Sequence, residues 1–337
     1  MRNMELIHTL PGDDRFHLFD AVPENVYPAN SLRLKQKEGL NLEFLIDCLV
    51  VLDHKTPIAR IAVYNNPNLH YKEDHAACLG NYECVDDSIV AKMLLEAAFA
   101  VIREIKCSFV LGPMNGSTWD NYRFSKSNEF PNFLLESYHH AYYNEQFITN
   151  GFEEIAVYSS RKETGMHCND AAVIQREKEL TDLGVRIRSI DLVHFETELK
   201  RLYPFVKAAF QSNFLYSNIK WEMFLGKYIE AKSIIDPTYV LIAEDDKQQV
   251  IGFLFAYQNL YNQTVKELVV KTIARSNEKQ WAGLGHVMGN QVISTAKKNG
   301  FTSVIQAFMI HEGTSTGISH NFKGKEYKSY TLYGRKI

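Results

Sequence analysis

The segment Gln280-Trp281-Ala282-Gly283-Leu284-Gly285 follows an apolar run over residues 267–274 and opens a helix-like stretch over 286–299. A strand that passes through a short glycine loop into a helix N-terminus forms a site for an anion. The first amides of a helix have no intrahelical acceptor, and the helix dipole adds partial positive charge there. Gly283 and Gly285 remove the side chains that would keep a diphosphate from those amides. Gln280 either adds a contact or holds the loop, and an ordinary turn would also accept the glycine pair. The spacing excludes the G-x-G-x-x-G fingerprint of dinucleotide-binding folds, and no G-x-x-x-x-G-K-S/T phosphate loop occurs.

A chain of 337 residues exceeds one comfortable core and predicts two domains. The net charge of −3, with Lys and Arg scattered among Asp and Glu, excludes the basic stripe of a nucleic-acid binder. Five cysteines form no C-x-x-C pair, which fits reduced thiols in a cytoplasm. The N-terminus lacks a signal-peptide core, and no window approaches the roughly 20 apolar residues that cross a bilayer. A soluble, cytoplasmic protein without a membrane partner is expected. His70, His75, His139 and His140 do not follow a metal-binding pattern, so no metal is expected.

Strands are expected over 41–52, 57–64 and 77–85, then a helix to about 105 after Asp86-Asp87-Ser88, a strand over 109–114, a helix over 138–149 and a strand over 152–160. Residues 166–184 read as a linker with a short helix across 171–180. The second half repeats the plan. A strand over 185–190 leads to a helix over 192–210, interrupted or kinked near Pro204. A helix over 220–235, a hairpin over 239–257, the strand and helix of the glycine loop, and strands over 302–310 and 327–335 follow. Domains are therefore expected over 1–165 and 185–337, with an internal duplication of element order.

The second half resembles the GNAT superfamily of N-acetyltransferases. The apolar strand, Gln280-x-x-Gly283-x-Gly285, the helix and the next strand meet all three fixed positions of that family's coenzyme motif, Gln/Arg-x-x-Gly-x-Gly/Ala. The first half is similar in element order, and Gly112-Pro113-Met114-Asn115 is similar to a segment of tandem GNAT proteins of unknown substrate. The resemblance implies an α/β (α+β) fold of two tandem GNAT-like domains, each a mixed, mostly antiparallel sheet flanked by helices. It implies acetyl-CoA or another acyl-CoA as co-substrate, and a small amine, amino acid or peptide amine as acceptor. A homodimer is an open assembly state.

In such enzymes the coenzyme-binding strand splays from the next one and the pantetheine arm lies in the gap. Carried over by position, Thr272, Ile273 and Ala274 would contact that arm, and Gln280, Trp281, Ala282, Gly283, Leu284, Gly285 and His286 would hold the diphosphate. Ser315 would touch the coenzyme. Trp281 packs either on the adenine or on the helix. The first half reads Val85-Asp86-Asp87-Ser88 where the glycines should stand. Two carboxylates there repel a diphosphate, and helix capping explains them, so no coenzyme is expected in that half.

Acyl transfer to an amine needs removal of the ammonium proton, stabilisation of an oxyanion and a proton for the leaving thiolate. The family transfers directly, through a tetrahedral intermediate, and no G-x-S-x-G elbow occurs here. The resemblance points to Glu267 as base. The alternative is a solvent-facing carboxylate at a strand end. The family's acid is often a Tyr after an Asn beyond the fifth strand, and residues 310–317 offer neither. Tyr330 on the last strand is the candidate instead, facing away from Tyr327 and Tyr333. This departure leaves open a non-catalytic protein that binds acyl-CoA or a partner. Of the many aromatics over 119–143, those from Trp119 to Phe124 are candidates to line a cleft, and the rest are expected in the core.

Overall fold

Turn chemistry fixes the first hairpin. His54 and Lys55 both take positive φ, 47° and 72°, the double left-handed geometry that matches strand twist in a two-residue turn. They join strand β2 (Leu45–Asp53) to β3 (Thr56–Tyr64). The structure, a computed structural model, describes residues 3–311 and 324–337. It divides into two compact units. Unit 1 comprises residues 1–157, 214–217 and 329–337, and unit 2 comprises 158–213 and 218–328.

In unit 1, β1 (Met4–Thr9) pairs with β2, and helices α1 (His17–Val26) and α2 (Leu32–Lys35) lie between them in sequence. After β3 come β4 (His70–Tyr71), β5 (Asp74–Cys84), α3 (Ser88–Glu104), β6 (Phe109–Gly112), β7 (Phe124–Ser125), α4 (Tyr143–Thr149) and β8 (Glu153–Glu163). β1, β2, β3 and β5 pair antiparallel in that order, and β5 pairs parallel with β6. Apolar residues of α3 at helical spacing, from Val90 through Leu94 and Ala98 to Ile102, pack on this sheet in one core. Asp87 caps α3, its side chain accepting from the amides of Ile89 and Val90.

Unit 2 contains the second half of β8, then α5 (Ala171–Asp182), β9 (Arg186–Ser189), α6 (Phe195–Phe210) and α7 (Trp221–Ala231). Next come β10 (Val240–Glu244), β11 (Val250–Gln258), β12 (Glu267–Arg275), α8 (Leu284–Lys298), β13 (Ser303–Ile310) and the start of β14 (Lys325–Lys336). The sheet order is β8-β13-β12-β11-β10-β9, antiparallel except for β12–β13. A second core joins this sheet to α8 through Leu284, Val287, Met288 and Val292. Each unit is a mixed, mostly antiparallel sheet flanked by helices, as expected.

Several boundaries differ from the sequence expectation. Residues 4–9 and 17–26, unassigned from sequence, form a strand and a helix. The expected linker 166–184 holds α5, which belongs to unit 2, and the expected boundary falls inside that unit. Helix α6 runs through Pro204 without a break. Residues 329–337 of the last strand lie in unit 1, next to β6, with Tyr333 opposite Gly112 and Lys336 opposite Phe109. No described helix is long and apolar enough to cross a membrane.

Removing the α3 cap leaves two helix amides without their acceptor. Asp87→Ala is expected to destabilise unit 1 by about 1 kcal/mol, read as a lower midpoint of urea unfolding.

Candidate functional site

The parallel ladder between β12 and β13 is short. It runs from Glu267 opposite Ser303 to Val270 opposite Gln306 and stops. The reason lies in both strands. On the β11 side the register of β12 slips between Thr272 and Val270, so Lys271 is an extra, bulged residue. On the β8 side the register of β13 slips between Gln306 and Met309, with Phe308 at φ 59°. A bulge bends and twists a strand. Two bulges at the same level turn the strands apart, and among the described residues none of β13 pairs with 271–275. The backbone over Thr272, Ile273 and Ala274 thus forms one wall of a gap, suited to receive an extended chain as an added strand would be.

At the far end of that gap, β12 feeds the glycine loop. Gly283 is the N-cap residue of α8 at φ 85°, and a Cβ there would lie 3.0 Å from Cγ of Arg176. The positive φ favours glycine, and the space beside the Arg176 side chain is tight. Gly283 has no side chain with which to cap α8, and the first bond into the helix is Val287 N–H to Gly283 O. The amides of Leu284, Gly285 and His286 precede that bond and lie at the positive end of the helix dipole.

Arg176 of α5 holds the loop in place. Its Nε donates to Ala282 O at 2.8 Å and its Nη2 to Gln280 O at 2.5 Å, while Glu179 takes Nη1. Gln280 donates its side chain to Glu278 at 2.9 Å, so in this structure it holds the loop. Trp281 is buried in the core against α8, on the helix-packing side of its two readings, with its Nε1 lacking a hydrogen-bond partner. Ala282 is exposed. His286 is half-buried, and burial first, then the charge of Arg275, hold its pKa below the ordinary value. It therefore meets a ligand at neutral pH as an uncharged ring. Ser315 lies outside the described residues.

The two candidate catalytic groups belong to different units, Glu267 to unit 2 and Tyr330 to unit 1. Glu267 opens β12 at 2 % exposure, so it is not the solvent-facing carboxylate of the alternative reading. Nor is either oxygen open. Lys162 Nζ lies 2.5 Å from Oε1, Ser303 Oγ donates to the same oxygen at 3.0 Å, and Asn259 donates to Oε2 at 2.6 Å. Burial alone would raise its pKa. The hydrogen bonds from Lys162 and Asn259, the Lys162 charge and Ser303 outweigh that, and the carboxyl titrates below its ordinary value. A carboxylate made more acidic with both oxygens engaged is a poor base. Tyr330 belongs to unit 1, is buried, and donates its hydroxyl to Glu136 at 3.0 Å. The β14 register places it beside Ser125 of β7, in unit 1, whereas the glycine loop belongs to unit 2.

Unit 1 has the same plan with a different outcome. Its parallel ladder also stops early, at Cys78 opposite Leu111. The chain then fills the space itself. Met114 N–H donates to Leu79 O at 2.7 Å, and Asn115 Oδ1 accepts from Asn81 N–H at 2.9 Å. A Cβ on Gly80 would lie 2.3 Å from Asn115 Oδ1, so Gly80 permits this close approach. The start of α3 is capped by Asp87 where α8 has an open glycine turn. Trp119 donates Nε1 to Ser217 O at 2.9 Å, and Phe124 sits in the unit 1 core. Among the described residues no cluster of His, Cys, Asp and Glu could hold a metal ion.

No protein-family model and no curated protein matches the sequence. Solved structures do match along its whole length. One is a GCN5-related glucosamine N-acetyltransferase region of a fungal multi-domain β-N-acetylglucosaminidase, at TM-score 0.57 and 14% identity, over 99% of this chain and 38% of that one. Another is a GCN5-related N-acetyltransferase from Sphaerobacter thermophilus, at TM-score 0.56 and 12% identity, over 99% and 95% of the two chains. A tandem GNAT protein from the clavulanic acid biosynthesis pathway aligns at TM-score 0.53 and 9% identity, over 99% and 98%. The chain thus spans little more than a third of the first of these proteins and nearly all of the other two. The fold is that of GNAT proteins, in tandem.

The Glu267 network links stability to pH. Its folded pKa lies below the unfolded one, so its contribution is present above the ordinary carboxylate value of 4.5 and is lost as pH falls through the lower folded value. Glu267→Gln is expected to flatten the acid side of the stability profile, measured by urea unfolding from roughly pH 3 to 6.

Proposed function

We propose that the chain is an acyl-CoA-dependent N-acyltransferase with its donor site in unit 2. One observation carries the reading. Unit 2 pairs a glycine-turned helix start with a gap between parallel strands that no described residue fills, while the matching features of unit 1 are capped by Asp87 and filled by Met114 and Asn115. The residues fit an acyl-CoA, with acetyl-CoA as the simplest donor. Leu284, Gly285 and His286 would hold the diphosphate through backbone N–H groups, and Thr272, Ile273 and Ala274 would receive the pantetheine arm. From Val270 to Arg275 the gap runs about 16 Å at 3.3 Å per residue, room for an extended arm. Bound there, the donor supplies an acyl group activated as a thioester.

The acceptor is an amine: a small molecule, an amino acid or a peptide. The chain must then remove a proton from the acceptor's nitrogen and hold that nitrogen at the parting of the strands. A second reading is an acyl-CoA-binding protein without transfer. It is favoured by the engaged oxygens of Glu267 and the engaged hydroxyl of Tyr330. Transfer to a panel of amines, followed by mass spectrometry, separates the two.

The cradle is tested by charge rather than by strain. Asn and Asp both tolerate positive φ better than other side chains, so Gly283→Asn and Gly283→Asp carry similar backbone costs. Only Asp sets a carboxylate against the diphosphate. Calorimetry with acetyl-CoA is expected to show Gly283→Asp binding at least tenfold more weakly than Gly283→Asn, with AMP and NAD ignored by the unsubstituted chain. Equal affinities of the two variants would remove the cradle.

A further inference from the structure

Four buried side-chain atoms among the described residues of unit 2 have no hydrogen-bond partner: Trp281 Nε1, Glu163 Oε2, and both Nε2 and Oε1 of Gln306. Buried polar groups in folded proteins are nearly always paired, and those that are not call for an explanation. Trp281 lies in the cradle. The other three belong to Gln306, at the last rung of the β12–β13 ladder, and to Glu163, its diagonal neighbour on β8.

Gln306 is the last residue of the parallel ladder, opposite Val270 of β12 and opposite Arg161 of β8. Glu163 is opposite Val304 on the same pair of strands. Residues directly opposite in an antiparallel pair share a face, and side chains alternate along a strand, so Glu163, Val304 and Gln306 all lie on one face. That face is the one covered by α8, because Val304 packs with Leu284, Val287 and Val292. Glu163 and Gln306 are diagonal neighbours, with Cβ atoms about 7–8 Å apart. Glu163 is 5 % exposed and Gln306 7 %. Asn290 of α8 is held by Asn169, whose amide donates to Asn290 Oδ1 at 2.5 Å.

The two oxygens of Glu163 differ. Oε1 accepts from the backbone N–H of His167 at 2.7 Å and is also held by the His167 ring. Oε2 has no partner. The arrangement is that of a carboxylate oriented through one oxygen and left open at the other. Glu267 lies on the opposite face, beside Ser303, with both oxygens occupied.

We propose that Glu163 and Gln306 receive the amine of the acceptor, and that Glu163 is its proton acceptor. The proposal rests on the N-acyltransferase reading and names its acceptor site and base. An ammonium presents three N–H donors. One meets Glu163 Oε2 and one meets Gln306 Oε1, and Gln306 Nε2 remains as a donor toward a carbonyl beside the nitrogen. In the step itself an N–H bond breaks, its electron pair stays on nitrogen, and the proton bonds to Oε2, leaving a neutral carboxylic acid and an uncharged amine. That proton passes to water as the site reopens. The acceptor class is a primary amine, because an alcohol offers one donor and a carboxylate offers none.

The test uses two variants that keep shape. Glu163→Gln is expected to lower kcat for amine transfer by at least 100-fold, and Gln306→Met to raise the acceptor KM about tenfold or more. Acetyl-CoA affinity by calorimetry is expected to be unchanged in both. A second readout needs no activity. Because the amide of Gln306 has no protein partner to lose, Gln306→Met is expected to raise the thermal midpoint of the unligated protein, whereas a Gln that bonds within the fold would lower it. Unchanged kcat in Glu163→Gln, or a lower thermal midpoint in Gln306→Met, overturns the proposal. A chain that binds no acetyl-CoA at all overturns the N-acyltransferase reading beneath it. One that binds coenzyme but transfers to no amine overturns the acceptor site and the transfer reading together and leaves only the binding reading in place. Transfer with unchanged kcat in Glu163→Gln overturns the acceptor site alone.

Discussion

The gap beside β12 follows from one backbone event, the end of a parallel ladder after four residue pairs. A parallel pair holds only while both strands keep a common twist. The bulge at Lys271 and the left-handed Phe308 break that match from both sides at one level. Beyond them the β13 side of β12 has no strand partner among the described residues, over a stretch that is half-buried at Thr272 and Ile273. In unit 1 the same early end, after three pairs, is filled by residues 114 and 115. The fold can therefore close such a gap from within, and among the described residues of unit 2 none does so.

The carboxylates show why chemical type alone does not assign a base. Glu267, Glu163 and Glu244 are all buried in unit 2. Glu244 lies between Arg188 and Arg201, and Glu267 is tied by Lys162, Asn259 and Ser303. Each of those bonds lowers the proton affinity that a base requires. What separates Glu163 is an oxygen left over after its orienting contacts. The count of engaged lone pairs decides the role, and it becomes visible only when strands from distant parts of the chain are side by side.

The strand, glycine turn and helix start were legible in the sequence because their signal is local. Apolar strand, two glycines and helix lie within about twenty residues, and the open helix start follows from them by elementary backbone chemistry. The capping of α3 by Asp87 was legible for the same reason. The clamp on the cradle was not. Arg176 lies in a stretch with a single buried residue, Leu180, so it offers no apolar stripe and reads as linker. Its role depends on two carbonyls more than a hundred residues away. Tyr330 was misplaced for a topological reason. The alternation of β14 fixes which residues share a face but not which sheet receives the strand, and the neighbour of residues 333–336 is β6 rather than a strand of the second half.

The same limit applies to Gln306. In sequence it is a polar residue in an apolar strand, Ser303-Val304-Ile305-Gln306-Ala307, and such a residue ordinarily bonds across the sheet or caps a neighbour. Its register gives it a different standing. It comes opposite Val270 at the last rung, next to Glu163 on a strand that begins in one unit and ends in the other. An apolar residue there would be nearly free of cost, whereas an unpaired amide costs on the order of 1–3 kcal/mol. A fold retains that cost where the group has a partner that comes and goes. The position at the last rung also fixes what the partner must be. It enters where the strand backbone ends its own pairing, meets a carboxylate and an amide on one face, and must therefore bring donors of its own.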